Sequence, residues 1–109
     1  MSSDKYPSCD VAGGGEIFLK DSKNGEKFRI IEMSAEEIKI KTDMKLELDT
    51  IVDLKINLDS VLFEVAIDAI GKVVEKLEST EKYRIEFVEL SDKVKEEIDE
   101  IMRSTCNLN

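Results

Sequence analysis

Acid–base chemistry near neutral pH is most readily carried by histidine, and this chain of 109 residues has none. The other titratable candidates are carboxylates, which fall mostly at outward positions of strand-like segments or along one helix face rather than in a cleft. Cys9 and Cys106 stand in the two tails, with no second thiol or imidazole at metal-ligand spacing, and read as reduced thiols. A disulfide between them would need an oxidising compartment, for which the sequence carries no signal. No Asp-x-Asp-x-Asp-Gly calcium loop occurs. Gly13-Gly14-Gly15 lacks the preceding buried strand and the following helix with Lys and Ser or Thr that a phosphate-cradling loop requires. The expectation is a chain that is not an enzyme, with no catalytic residue, no metal site and no resident cofactor.

The groups left that could hold a ligand are few. Ser34 lies in a polar stretch between two strand-like segments, Arg29 lies just before it, and Lys20, Lys23 and Lys27 surround a turn. A lysine supplies a point charge without a stacking plane, and charged hairpin tips commonly serve solubility, so the lysines read first as solvated. Ser34 reads first as a turn residue whose hydroxyl bonds its own backbone.

Against these stands a formal charge of −9, from 25 acidic and 16 basic side chains, which repels phosphate backbones and anionic headgroups. Nucleic acid is therefore not an expected partner. Met1-Ser2-Ser3-Asp4 carries no basic region, and no apolar run approaches the ~20 residues of a spanning helix. The expectation is a cytoplasmic protein without membrane insertion.

The elements that must position these groups follow from periodicity. An apolar share of 41% beside 38% charged residues suits one globular domain with a heavily solvated surface. Residues 1–15, ending in the glycine run, read as a flexible leader, because three glycines lose too much entropy to sit in a regular element. From Glu16 the period is two, the mark of strands with one buried face. Ile17 and Leu19 open it, and Asp21-Ser22-Lys23-Asn24-Gly25 supplies a hairpin turn in which Asn24-Gly25 can take positive φ.

Phe28 and Ile30 are followed by Ile31 and Met33, a change of phase that predicts a bulge. Ser34-Ala35-Glu36 then connects to the alternating Ile38, Ile40 and Thr42. Leu54, Ile56 and Leu58 form a further strand. Beyond the turn at Asp59-Ser60, Phe63, Val65, Ile67 and Ala69 hold one face until a kink at Gly71, after which Val73-Val74 continue. Glu78-Ser79-Thr80-Glu81 makes a polar turn, and Tyr83, Ile85 and Phe87, read as core, form the last alternating set.

At Ser91 the period changes. Ser91 caps a helix, Asp92 complements its positive end, and Val94, Ile98, Ile101 and Met102 make one apolar stripe. About six strands in so short a chain predict an all-β, closed or nearly closed antiparallel barrel with the C-terminal helix over one end or flank, spanning 16–104, and a tail at 105–109.

With this order in place, the stretch from Phe28 to Met102 resembles the PilZ family of bacterial second-messenger domains. The corresponding pieces are Glu32-Met33-Ser34-Ala35-Glu36-Glu37 leading into Ile38-Lys39-Ile40, then Gly71-Lys72-Val73-Val74, then Tyr83 through Ser91. The resemblance implies a small six-stranded antiparallel PilZ-like barrel with a C-terminal helix. It also implies cyclic di-GMP as a ligand, held by an Arg-x-x-x-Arg pair before the barrel and by an Asp/Asn-x-Ser-x-x-Gly turn, since a guanidinium grips phosphate and lies against guanine.

Here Arg29 is the only arginine before the turn, only Ser34 of the turn motif is kept, Glu32 stands for Asp or Asn, and Glu37 stands for Gly. Each lost charge-assisted contact removes ~1.5–3 kcal/mol, so a missing pair removes roughly 3–6 kcal/mol, about a hundredfold to ten-thousandfold in affinity. The expectation is a non-catalytic signalling module whose ordinary cyclic di-GMP binding is lost and which meets a protein partner in a bacterial signalling or motility pathway. Val88, Leu108 and the region of Leu46-Leu48 are its candidate apolar contacts. Two alternatives stand beside it: a cyclic di-GMP receptor with an atypical site around Ser34, Arg29 and the leader, and a structural subunit whose helix pairs with a second copy.

Overall fold

The computed structural model describes residues 13–19, 22–59, 64–77 and 81–106. Among them the elements follow the predicted order: β1 (Gly13–Leu19), β2 (Gly25–Met33), β3 (Glu37–Thr42), β4 (Ile51–Asp59), β5 (Glu64–Lys76), β6 (Lys82–Glu89) and α1 (Asp92–Cys106). All pairings are antiparallel, and the sheet closes on itself in the order β1-β2-β3-β6-β5-β4. Closure leaves no strand edge open to another chain. The chain is thus two three-stranded meanders, β1-β2-β3 and β4-β5-β6, joined along two long-range seams, β1 with β4 and β3 with β6.

Alternation decides what fills the barrel. Ile17, Phe28, Ile30, Ile38, Ile40, Val52, Leu54, Ile56, Leu58, Ile67, Ala69, Val73, Tyr83 and Ile85 are buried in one cluster, and the residues between them on each strand face outward. Burying a side chain such as Ile or Leu fully contributes about 1.5–3 kcal/mol. The bulge predicted at Ile30-Ile31 is present as a register shift between Ile30 and Glu32, which turns Met33 back into the core. Two further shifts, at Ile70/Gly71 and Val73/Glu75, accommodate the bend predicted at Gly71.

The glycine run departs from expectation. Gly13-Gly14-Gly15 is not part of a leader but the first half of β1, paired on one side with β2 and on the other with β4. A side chain on Gly15 would run into the backbone of Lys55, so only glycine lets the two meanders approach closely enough to close here. The entropy lost is offset by pairing on both edges. The first twelve residues lie outside those described.

The hairpin turn also forms by another route. Ser22 donates its amide to the Leu19 carbonyl at 3.0 Å, and its hydroxyl accepts from the Asn24 amide at 3.2 Å. Among the described residues positive φ occurs at Gly13 and Asp49, not at Asn24 or Gly25. Gly25 begins β2, and its missing side chain makes room for the Phe18 ring, which would lie 2.6 Å from an added Cβ.

The connection 43–50 returns into the barrel. Leu46 is buried and donates its amide to the Tyr83 hydroxyl at 3.1 Å, while Asp49, at φ 69°, donates its amide to the Val73 carbonyl at 2.7 Å. Leu46 therefore serves the core, not the exposed patch expected of it; Leu48, 52% exposed, remains outside.

α1 begins as predicted, the Val94 amide donating to the Ser91 hydroxyl at 3.2 Å, and it buries Ile98, Ile101 and Met102 in the same core cluster. It runs to Cys106, two residues beyond the predicted end of the domain, so Cys106 belongs to its last turn and not to the tail. Among the described residues no helix is long and apolar enough to cross a membrane.

Candidate functional site

The residues that could hold a ligand lie at the turn between β2 and β3. Met33 is drawn inward by the core and Ile38 likewise, so the four residues between them must reverse within one barrel rim. Ser34 makes this possible from within. It is 3% exposed, its amide donates to the Glu37 carbonyl at 2.9 Å, and its hydroxyl accepts from the amides of Glu36 at 3.1 Å and Glu37 at 3.3 Å. Both acceptor positions of the hydroxyl are taken by the turn itself, which is the arrangement expected of a turn serine.

Beside this turn lies a notch of about 310 Å³, lined by Ala35, Glu36, Glu37, Glu86, Phe87 and Lys95. The Phe87 amide donates to the Glu36 carbonyl at 3.0 Å, extending the β3–β6 seam to the notch floor. Three carboxylates line it with one ammonium, and a single guanidinium, that of Arg84, is shared between Glu37 and Glu86. A dianionic ligand entering this space meets net repulsion, opposite in sign to what phosphate recognition requires.

The two acids that bracket Ser34 are occupied. Glu32 accepts from the Lys39 ammonium at 2.9 Å, and Glu37 accepts from Arg84 Nη1 at 2.9 Å. Arg84 also gives its Nε to Glu75 at 2.8 Å and approaches Glu86 at 3.4 Å. Register explains the convergence: Glu32 is paired with Lys39, Lys39 with Arg84, and Arg84 with Glu75, one outward row crossing β2, β3, β6 and β5. The hydrogen bond to Glu75, then that to Glu37, raises the Arg84 pKa above its ordinary value, and the hydrogen bond to Glu32 does the same for Lys39. Both cations are held charged by the carboxylates that neutralise them.

Arg29 is not part of this site. It faces outward from the middle of β2, paired with Gly14 and Lys41, five residues before Ser34 and on the order of 16 Å from it along the strand. Lys27 is exposed on the same strand, Lys23 lies near the hairpin, and Lys20 falls outside the described residues. Val88, 46% exposed, is an outward apolar residue as expected, whereas Leu108 lies outside the described residues. The hub of the site, Arg84, carries no local signal of its role, because its carboxylate partners sit up to 47 positions away and meet it only through strand register.

Similarity to known proteins is confined to structure. No established family description matches the sequence, and no curated protein does. The fold is similar to that of the Bacillus subtilis inhibitor of motility MotI, also called DgrA, with a TM-score of 0.79 and 16% identity over the whole of this chain. This chain spans about half of that one, 54% of its length. It is also similar to the PilZ domain of Escherichia coli YcgR, solved with c-di-GMP, with a TM-score of 0.60 and 10% identity, covering 99% of this chain and 100% of that domain. The closed six-stranded antiparallel barrel with its C-terminal helix is a PilZ-like fold.

Proposed function

We propose that this chain is a non-catalytic PilZ-like module that acts by contact with a protein partner, and that the ordinary cyclic di-GMP site of such domains is closed in it. The observation that carries this reading is the occupation of the Ser34 turn: its hydroxyl is bonded to its own backbone, and Glu32 and Glu37 are bonded to Lys39 and Arg84. The acidic notch beside it disfavours a dianion, and Arg29 is too distant to help. A similar fold occurs in an inhibitor of motility, which supports a partner in a bacterial signalling or motility pathway. The reading as a helix-paired subunit is weakened because Ile98, Ile101 and Met102 are already buried in the chain's own core.

Calorimetric titration with cyclic di-GMP tests this reading. No saturable heat is expected up to ligand concentrations of hundreds of micromolar. Micromolar binding that disappears in Ser34→Ala would establish the receptor instead.

A further inference from the structure

The opposite side of the barrel carries a groove of about 600 Å³ across the β1–β4 seam. Its outward row reads Phe18, Asp53, Ile70, Glu89, each paired with the next across β1, β4, β5 and β6. Apolar and acidic groups therefore alternate at strand spacing, ~4.8 Å apart, so the two apolar positions lie about 10 Å from one another and so do the two acids. Phe18 and Ile70 are half-buried, and Asp53 and Glu89 are exposed. Among the described residues neither acid makes a salt bridge.

The groove's cations do not fill this gap. Lys55 Nζ lies over the Phe18 ring, 5.8 Å from its centroid, and forms no salt bridge with Asp53 or Glu89. Lys23 stands at the hairpin end. Half-buried apolar groups set between exposed, unpaired acids suit an occupant that is apolar and basic by turns. In a helix, residues i and i+7 are about 10.5 Å apart and i and i+3 about 4.5 Å. Apolar residues at i and i+7, with Lys or Arg at i+3 and i+10, would meet the four groove positions in order.

We propose that this groove docks a basic amphipathic helix of a partner protein, lying across the strands with its apolar side chains on Phe18 and Ile70 and its cations on Asp53 and Glu89. The proposal rests on the interaction-module reading and assigns it a surface and a partner chemistry.

The test is an NMR titration of the ¹⁵N-labelled full chain with a synthetic helical peptide bearing Leu at i and i+7 and Lys at i+3 and i+10, and with its Glu-for-Lys counterpart. Saturable shifts centred on residues 18, 53, 70 and 89 are expected with the Lys peptide alone. D53N/E89Q should weaken binding at least fivefold, as should Ile70→Ser. The charge-matched E96Q/E100Q, on the exposed face of α1, should leave it within twofold. Equal weakening by the control pair, or no saturable binding, overturns the proposal. Shifts that map to another face overturn the groove while leaving the interaction module standing. Saturable cyclic di-GMP binding would overturn that module reading separately, without touching a peptide result at the groove.

Discussion

The barrel is closed along two seams, and they are built from opposite materials. Across β3 and β6 the outward row is wholly charged, and each member has a partner, from Glu32 through Lys39 and Arg84 to Glu75. Across β1 and β4 closure depends on glycine, and the outward row mixes Phe18 and Ile70 with acids that have no ion pair among the described residues. A surface whose charges are satisfied internally has little left to offer a ligand, whereas unpaired acids beside half-buried apolar groups retain that capacity. The difference shifts attention from the Ser34 turn, where the resemblance points, to the far side of the barrel.

The contrast can be broken most forcefully at the glycine seam. Gly15→Val would set a branched side chain against the Lys55 backbone, and a loss of about 3 kcal/mol or more is expected in urea unfolding. A variant that kept full stability would show that the seam is not closely packed. At the other seam, Ser34→Ala removes the acceptor for two amides of a part-buried turn and should destabilise by roughly 1–3 kcal/mol, read by thermal unfolding. If stability were unchanged, the serine would not be holding the turn and its hydroxyl would be free for a ligand.

A smaller effect tests the charged row. Arg84→Gln leaves Glu37, Glu75 and Glu86 facing one another and should lower stability by about 1 kcal/mol at low salt, less at high salt, where repulsion among partly exposed groups is screened. The smallest concerns pH. The folded-state pKa of Lys39 is raised by its bond to Glu32, so its contribution is fully present below the ordinary lysine value of 10.5 and is lost as pH rises through the higher folded value. The stability difference between wild type and Lys39→Met, a few tenths of a kcal/mol at neutral pH, should therefore vanish in strongly alkaline urea titrations.

Most of the fold was legible in the sequence because strand and helix periodicities are local. Leu54, Ile56 and Leu58 announce a half-buried strand, the phase change at Ile30-Ile31 announces a bulge, and Ser91 announces a helix start. The failures have one physical origin, which is that local composition does not reveal what approaches from elsewhere. Three glycines look like a leader until β4 is brought against them, and Leu46 looks exposed until the Tyr83 hydroxyl captures its amide. Ser34 was read correctly as a turn residue, since its partners are two and three positions away. Arg84 and Phe18 carry no such local signal, because Arg84 is joined to Glu37, 47 positions away, and Phe18 to Asp53 only by strand register.

The two-meander topology bears on how the molecule assembles. Each meander is made of neighbours in the chain and can form from short loops, but the seams join residues 33 to 49 positions apart and must wait for both halves. Seam contacts are therefore expected late, after the folding barrier is largely crossed, so weakening them should hasten unfolding more than it slows folding. The charged row and the glycine strand, so different at equilibrium, would then act alike in time: both set how long the closed barrel lasts once it has formed.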